Sequence, residues 1–404
     1  LITDRKDLDD QLSVQVLNAK QFIGDETVVN VETRQELGER LRGRKSGGVF
    51  LTTVQKFSED INLLSERANI ICISDEAHRS QTNVEQNVSI TENGVKRSYG
   101  FAKYLHDSLP NATYVGFTGT PIDATIDVFG EVVDSYSMTE SVADGITRRI
   151  VYEGRAAKVF TDGRQLQEIE DYYKECAEQG ANEYQIEESK KAVTQMNKIL
   201  GDPKRLAAVA RDFVEHYEKR IEEGSTVCGK AMFVCSSRHI AYDLYKQIIS
   251  LRPEWEENRV KMVMTRSKDD EQRLYELLGG DDDRKKLDGL FKDPESEFKI
   301  AIVVDMWITG FDAPCLDTMY IDKPLQKHTL IQTISRVNRV FEGKDKGLVV
   351  DYLGIKNNLN DALRQYAGGG NIGENVETIE QSLTIVKDEL DILRRMFTMF
   401  DYSK

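Results

Sequence analysis

Short, uniformly hydrophobic runs separated by helical patterns characterise the first third of the chain. The runs lie at residues 28–31, 48–53, 69–75 and 113–121. Uniform runs of this length are typical of parallel strands that are buried on both faces and joined by helices. They predict an α/β domain at residues 1–137, whose first residues have the pattern of a strand end.

A long polar segment separates this domain from a second group of apolar runs. Between about residues 161 and 223, apolar side chains such as Leu206, Val209 and Phe213 recur at helical spacing, which predicts a helical insert or connector. Apolar runs return at residues 231–235, 260–265, 298–305, 318–322 and 347–354. They predict a second α/β domain.

The predicted organisation has four parts. The first α/β domain at residues 1–137 is followed by a linker and helical insert at 138–225 and a second α/β domain at 226–355. Residues 376–400 have the spacing of one amphipathic helix after a glycine-rich link. We therefore expect residues 356–404 to begin a C-terminal helical region.

Composition and charge narrow the class of protein. The 404 residues include 54 Lys+Arg and 69 Asp+Glu, a formal net charge of −15. No apolar run approaches the ~20 residues of a membrane span, and the five cysteines are scattered, so we expect a cytoplasmic protein without membrane association. The negative charge argues against nonspecific coating of nucleic acid, although a local basic groove could still hold DNA.

The strongest chemical signal is SDEAHRS, which begins at Ser74 and follows an apolar run. Ligands of parallel α/β proteins bind at the carboxyl ends of strands. Of the adjacent carboxylates Asp75 and Glu76, one could hold Mg²⁺ while the other polarises an attacking water. The alternative is a solvated turn, but the strand, the motif and its position together favour a nucleotide site.

Further motifs follow in the same order along the chain. GFTGTP at residues 116–121 ends the next predicted strand, where it could also be an ordinary turn. Arg336 and Arg339 belong to Q-x-x-S-R-x-x-R and would project from one face of a helix. Paired guanidiniums suit a polyphosphate, and the alternative is a surface helix with salt-bridged arginines. VDMWITGFDAP at residues 304–314 predicts a tight loop, or a turn with an Asx motif.

DEAH, TGTP, ITGFDAP and Q-x-x-S-R-x-x-R, in this order on two α/β halves, resemble the motor motifs of superfamily two helicases and translocases. TDRKDLDDQ, FLTTVQKF, SDEAHRSQ, VGFTGTPI and IVVDMWITGFDAPCLDTMYIDKPL resemble the R (motor) subunit of type I restriction enzymes. The likeness extends from residue 1 to about residue 354 and is weak in the polar insert and the tail. It implies two RecA-like parallel-sheet domains with a helical insert and a C-terminal helical segment.

The resemblance implies ATP and Mg²⁺ as cofactors. Asp75 matches the carboxylate that holds Mg²⁺, and Glu76 matches the residue that activates the hydrolytic water. Arg336 and Arg339 occupy arginine-finger positions, where such a group is worth ~10³ to 10⁵ in rate in related enzymes. The full set implied for ATP binding is Asp75, Glu76, Gly310, Asp312, Gln332, Arg336 and Arg339.

Two further sets of residues match segments that couple the nucleotide to DNA or follow the DNA backbone. Hydroxyls, amides and basic side chains suit that task because they bind phosphates without reading bases. The coupling residues implied are His78, Thr118 and Thr120. The DNA-binding residues implied are Arg5, Thr52, Thr53, Gln55, Lys56, Ser236, Arg238, Thr265 and Arg266.

The resemblance thus implies an ATP-dependent double-stranded DNA translocase module of a type I site-specific deoxyribonuclease. It would couple ATP hydrolysis to DNA movement before cleavage by an upstream nuclease domain. The implied partners are double-stranded DNA and the methylating (modification) and specificity subunits. Two alternatives remain open: a non-hydrolysing DNA-binding and assembly module, or a strand-separating helicase of the same superfamily.

One motif of such motors is not found at its expected place. A phosphate loop, G-x-x-x-x-G-K-[ST], should precede the segment where this sequence begins. GSTVCGKA at residues 224–231 matches only in part, since Ala231 stands where a hydroxyl is needed and a predicted strand follows. We therefore reject it as a phosphate loop. We expect a first motor domain truncated before its phosphate loop, and a fragment that is inactive alone.

Overall fold

The computed structural model describes residues 1–3, 14, 16, 18–23, 28–31, 33–53, 63–77, 86–91, 94–99, 101–119, 123–159, 168, 196–268, 270–308, 310–325, 327–356, 359, 376–378, 387 and 390. The chain divides into two compact units, Leu1–Ser135 and Tyr136–Lys404. None of the described helices combines the length and the apolar character that crossing a membrane requires.

The first unit contains a five-stranded parallel sheet in the order β2-β3-β1-β4-β7. Its strands are β1 (Ile2–Thr3), β2 (Val28–Asn30), β3 (Val49–Thr53), β4 (Ile71–Ser74) and β7 (Thr113–Gly116). The described helices are α1 (Lys20–Ile23), α2 (Arg34–Leu41), α3 (Phe101–Ser108) and α4 (Asp123–Phe129). A separate antiparallel hairpin is formed by β5 (Gln86–Thr91) and β6 (Gly94–Tyr99).

The second unit contains a seven-stranded parallel sheet in the order β10-β11-β9-β12-β13-β8-β14. Its strands are β8 (Arg149–Gly154), β9 (Ala231–Cys235), β10 (Val260–Val263), β11 (Ile300–Val303), β12 (Thr318–Asp322), β13 (Lys346–Asp351) and β14 (Val376–Thr378). The described helices are α5 (Met138–Ala143), α6 (Ala156–Val159), α7 (Pro203–Glu222), α8 (Arg238–Leu251), α9 (Gln272–Leu278), α10 (Asp281–Lys292) and α11 (Lys327–Ile334), with a 3₁₀ turn at Pro253–Trp255.

The predicted α/β architecture with two parallel sheets is confirmed, and β9 and β12 have the predicted bounds. Strands β5 and β6 of the hairpin were not predicted from the sequence, and two strands of the second sheet were missed. β8 lies inside the segment predicted as linker and helical insert. It was missed because its apolar run is short, with only three apolar residues between Arg149 and Glu153. β14 stands where the C-terminal amphipathic helix was predicted to begin, and it pairs with β8. That prediction is wrong for residues 376–378, although Lys387 and Leu390 are helical.

Helix α7 begins and packs as its sequence dictates. The Asp202 side chain accepts hydrogen bonds from the N–H groups of Lys204 and Arg205, both at 3.0 Å, and so caps the first turn. The apolar residues at helical spacing are buried, and among them the Phe213 ring meets the rings of Phe233 and Tyr320 edge-on. The helix therefore covers the central strands β9 and β12.

An ion pair that is completely buried fixes α7 at the carboxyl end of β12. Arg205 and Asp322 have 3% and 0% of their side chains exposed. Both guanidinium Nη atoms donate to the Asp322 carboxylate, with Nη1 to Oδ2 at 3.0 Å, and Nη1 also donates to the Leu200 carbonyl at 3.1 Å. Buried charges persist only when they are paired in this way.

Removing one member of this pair should be much more costly than removing a surface pair. Arg205→Ala leaves the Asp322 carboxylate buried without its cation, so we expect the free energy of unfolding to fall by about 3–5 kcal/mol. Urea denaturation followed by circular dichroism measures the change. Arg252→Ala is the control, because its pair with Glu218 is one third exposed and should contribute only ~0–1 kcal/mol. Equal losses in the two variants would contradict the argument.

Candidate active site

Asp75 is the first residue after β4, an inner strand of the first sheet. Its N–H donates to the Ile2 carbonyl of the neighbouring β1 at 2.9 Å. Its Oδ1 accepts the N–H of Glu76, also at 2.9 Å. The Asp75 carboxylate is thus placed at the carboxyl end of a parallel strand, where ligands of such sheets bind.

Glu76 has a left-handed backbone conformation, with φ of 48°. A residue with a Cβ atom rarely adopts this conformation, and such strain is concentrated at functional sites. The turn is held in place by Ala77, which is completely buried and donates its N–H to the Phe117 carbonyl at 3.1 Å. The surrounding packing therefore enforces the conformation of Glu76.

The same hydrogen bond joins the two sequence motifs of the first unit. Phe117 also donates its N–H to the Ser74 carbonyl at 2.8 Å, so the segment that carries Thr118 runs beside the turn at Asp75 and Glu76. Gly116 permits this close approach, because a Cβ added there would lie 3.0 Å from the Cβ of Ala77. The structure thus brings the predicted coupling residue Thr118 close to the two carboxylates.

Three buried hydroxyls surround this strand end. Thr3 follows Ile2, which is in register with Ser74, so Thr3 and Asp75 are neighbours across the ladder. Among the described residues, the hydroxyls of Thr3, Thr52 and Ser74 have no hydrogen-bond partner although they are buried. Buried polar groups are normally satisfied, so these hydroxyls suit water or ligand oxygens. Sequence reasoning missed Thr3 and Ser74, and their only signal was a hydroxyl at the end of an apolar run.

This edge is compatible with a magnesium ion that is held mainly by its nucleotide. The described residues include no group of three or more His, Cys, Asp and Glu side chains arranged to hold a metal. Mg²⁺ in phosphoryl-transfer sites uses one or two carboxylates together with phosphate oxygens and water. One carboxylate at a strand end with a buried hydroxyl beside it, as in Asp75 and Thr3, fits that requirement.

In the second unit, the loop after β11 is strained and tightly packed. Trp307 has a φ of 66°, and Gly310 has a φ of 76°. The Trp307 ring stacks on the Phe311 ring, with centroids 4.1 Å apart and planes 3° from parallel. This stacking holds Trp307 in its unfavourable backbone conformation and fixes the position of Gly310 and Asp312.

The two predicted arginines contact this loop. Arg336 donates from Nη1 to the Phe311 carbonyl at 2.9 Å, and Arg339 places Nε 3.2 Å from Oδ1 of Asp312. The Arg339 and Asp312 side chains are 46% and 60% exposed, and Gln332 is half-buried on α11, one turn before Arg336. The structure therefore unites these residues from two distant motifs.

The prediction that Arg336 and Arg339 share one face of a helix is wrong. Helix α11 ends at Ile334. Arg336 lies in the turn that follows, and Arg339 forms an isolated antiparallel bridge with Thr147. Backbone pairing with the segment that enters β8 therefore replaces further helical turns.

The predicted DNA-binding residues of the second unit differ in exposure. Arg238 is engaged in internal hydrogen bonds, since its guanidinium donates to both carboxylate oxygens of Asp270 and to the Thr265 carbonyl. Ser236 has a buried hydroxyl without a partner among the described residues. Thr265 and Arg266 are exposed beyond the end of β10, and the Arg266 guanidinium lies 4.4 Å from the centre of the Tyr275 ring.

Several predicted site residues are buried, and others lie outside the part of the chain that the structure describes. Thr52 and Thr53 on β3 are only 3% and 8% exposed. Five others lie outside the described residues: Arg5, Gln55, Lys56, His78 and Thr120.

The rejection of residues 224–231 as a phosphate loop is confirmed. The segment leads into β9 and opens no helix. Lys230 is completely buried, and its Nζ donates to the Leu290 carbonyl, the Ser296 hydroxyl and the Phe298 carbonyl at 3.0, 2.9 and 2.6 Å. An ammonium group has three hydrogens, so none is left for a phosphate.

Comparison with known proteins gives a consistent family. Residues 1–186 match the SWI2/SNF2 ATPase family, and residues 262–354 match domain 3 of the type I restriction enzyme subunit R. The HindI endonuclease subunit of Haemophilus influenzae is 41% identical over 98% of this chain and 38% of its own length. The putative MjaIXP endonuclease subunit of Methanocaldococcus jannaschii is 35% identical over 98% of this chain and 35% of its own length.

A solved structure supports the fold. The fragment of a putative HsdR subunit of a type I restriction enzyme from Vibrio vulnificus YJ016 has a TM-score of 0.51 at 14% identity, over 88% of this chain and 57% of that one. The chain spans less than two fifths of the length of the two curated relatives named above. Over the region that it spans, which includes the SWI2/SNF2 ATPase match and the domain 3 match, the chain belongs to the family of type I restriction enzyme R subunits.

Proposed function

We propose that this region is an ATP-hydrolysing motor that moves double-stranded DNA. The observation that carries the proposal is the turn at Asp75 and Glu76, which places two carboxylates at the end of an inner parallel strand and holds Glu76 in a left-handed conformation. The turn lies within the residues that match the SWI2/SNF2 ATPase family. We further propose the four-part division at residues 1–137, 138–225, 226–355 and 356–404, in which the second and fourth parts each add one strand, β8 and β14, to the sheet of the third.

In the first unit, each residue has a distinct role in the proposed reaction. Glu76 orients the attacking water and accepts its proton. Asp75, fixed by the backbone of β1, would hold Mg²⁺, which when bound neutralises phosphate charge. Thr118 follows the Phe117 carbonyl that anchors the Glu76 turn, so a shift of this turn is passed directly to Thr118.

In the second unit, the arginines have different tasks. Arg336 is anchored on the Phe311 carbonyl and positions the loop that carries Gly310 and Asp312. Arg339 is half-exposed, and a surface ion pair such as that with Asp312 is worth only ~0–1 kcal/mol. Arg339 can therefore exchange Asp312 for a phosphate at little cost. Gln332 lies on α11, before both arginines in the sequence, and would contact the nucleotide from the same segment.

We propose that Thr265 and Arg266 contact the DNA backbone. Both are exposed, whereas Arg238 is neutralised by Asp270, and Thr52 and Thr53 are buried. Modification and specificity subunits are the further partners that we propose, because the relatives are subunits of type I restriction enzymes.

ATP turnover tests the catalytic role of Glu76. Glu76→Gln removes the group that accepts the proton of the water, so we expect hydrolysis stimulated by duplex DNA to fall at least 100-fold, while DNA binding is retained. Turnover is measured in a subunit with the full length of its relatives and in the present chain. Glu131→Gln, an exposed change in the same unit, is the control. Undiminished turnover in Glu76→Gln would refute the role, and DNA binding without turnover in either wild-type protein would favour the non-hydrolysing module.

Backbone strain at Glu76 predicts opposite effects on stability and activity. Glu76→Gly relieves the left-handed conformation and should raise the free energy of unfolding by about 1 kcal/mol, while abolishing hydrolysis. Glu39→Gly, at an exposed position inside α2, should instead lower it by about 0.5–1 kcal/mol. Chemical denaturation measures both. A loss of stability in Glu76→Gly would show that the turn is not strained.

The salt dependence of DNA affinity tests Arg266. Arg266→Ala should weaken duplex binding equally for unrelated sequences and reduce the slope of log affinity against log salt by about 1. Arg252→Ala, an arginine paired with Glu218, is the control and should leave the slope unchanged. An unaltered slope in Arg266→Ala, with the thermal transition preserved, would exclude a phosphate contact.

A further inference from the structure

Two cysteines meet at the edge of the second sheet where its central strands begin. Ala231, the first residue of β9, is in register with Thr318, the first residue of β12. Cys228 and Cys315 each lie three residues before one of these positions. The register therefore brings the two loops side by side, although the cysteines are 87 residues apart in the sequence.

The Cys228 thiol is in direct contact with the backbone of Cys315. It donates a hydrogen bond to the Cys315 carbonyl oxygen, which lies 3.5 Å from Sγ. Cys315 is completely buried, with its Sγ 3.8 and 3.6 Å from the carbonyl oxygens of Phe291 and Lys292. Cys228 is only half-buried, so reagents have access to one sulfur of the pair.

The surroundings of Cys228 favour its reactive form. The neighbouring Cys315 side chain, helped by the backbone N–H of Lys230, lowers the pKa of Cys228 to about 7 even though burial opposes the shift. By contrast, burial raises the pKa of Cys72 to about 11 and the pKa of Cys235 well above its ordinary value. The thiolate is the nucleophile in cysteine chemistry, so the half-buried Cys228 is the described cysteine whose surroundings most favour reaction.

We propose that Cys228 and Cys315 form an oxidation site, in which a hydroperoxide reacts at Cys228 and Cys315 resolves the product to a disulfide. The Cys228 thiolate attacks one peroxide oxygen, the O–O bond breaks, and the leaving hydroxide takes up a proton to give water when the oxidant is hydrogen peroxide. The Cys315 sulfur then attacks the Cys228 sulfenic acid, the S–O bond breaks, and a second water leaves. Two thiols lose two electrons and two protons, and one peroxide is reduced.

The cross-link would join the loops that enter β9 and β12. Closing a loop of 87 residues reduces the freedom of the unfolded chain, so oxidation should move the urea midpoint of this unit upward. Ser236 and Thr265, which belong to the predicted DNA-binding set, follow the carboxyl ends of β9 and β10. The two cysteines precede the amino ends of β9 and β12, at the opposite edge of the same sheet. Oxidation and its detection therefore do not depend on the proposed motor function.

Mass spectrometry of the present chain tests the proposal. The reduced, folded chain is treated with a small excess of hydrogen peroxide at pH 7, digested without reduction and mapped. We expect the peptides of Cys228 and Cys315 to be joined, with a loss of about 2 Da that a reducing agent reverses. Cys315→Ser should instead accumulate a sulfenic acid at Cys228 that a dimedone-type probe traps. Linkage through other cysteines, or no linkage, would overturn the proposal.

A measurement on the wild-type chain guards against variants that fail to fold. The rate of alkylation by iodoacetamide is followed site by site as a function of pH. We expect Cys228 to react at least about 10-fold faster than Cys72 at pH 7, with a half-maximal rate near pH 7. Equal rates at Cys228 and Cys72 in the folded chain would refute the reactive role of Cys228.

Discussion

Parallel strand pairing is the constraint on which both units depend. All strands of the five-stranded sheet run in one direction, so the chain leaves every strand at the same edge. For this reason Thr3, Asp75 and Thr118 come together from distant parts of the sequence. The same constraint acts where strands begin, and there it brings the loops of Cys228 and Cys315 into contact.

Burial decides which cations of the second unit can act on a ligand. Lys230 and Lys344 are buried and donate to internal oxygens, and burial lowers the pKa of each to about 8. Arg205 is committed to Asp322. Arg339 and Arg266 keep substantial exposure. Residue type alone does not separate the buried cations from the exposed ones. Lys230 lies in a segment that partly matches a phosphate loop and Arg339 lies in Q-x-x-S-R-x-x-R, so both are basic residues of a recognisable motif.

Most strands of the two parallel sheets were predictable from the sequence, whereas local backbone geometry was not. Strands buried on both faces, such as β9 and β12, leave continuous apolar runs that mark them clearly. β8 leaves only a short run, and tertiary pairing with β13 defines it. The spacing of Arg336 and Arg339 suggested a helix, but α11 ends at Ile334 and Arg339 pairs with Thr147 instead. Long-range backbone pairing of this kind has no local sequence signal.

The strained residues connect the fold to the proposed chemistry. Glu76 and Trp307 are the two residues other than glycine with positive φ in the described part of the chain. A glycine would adopt either conformation without strain, so the side chain at each position must contribute something that offsets the cost. At Trp307 that contribution is visible as stacking on Phe311. At Glu76 we assign that contribution to the carboxylate, which the turn carries beside Asp75.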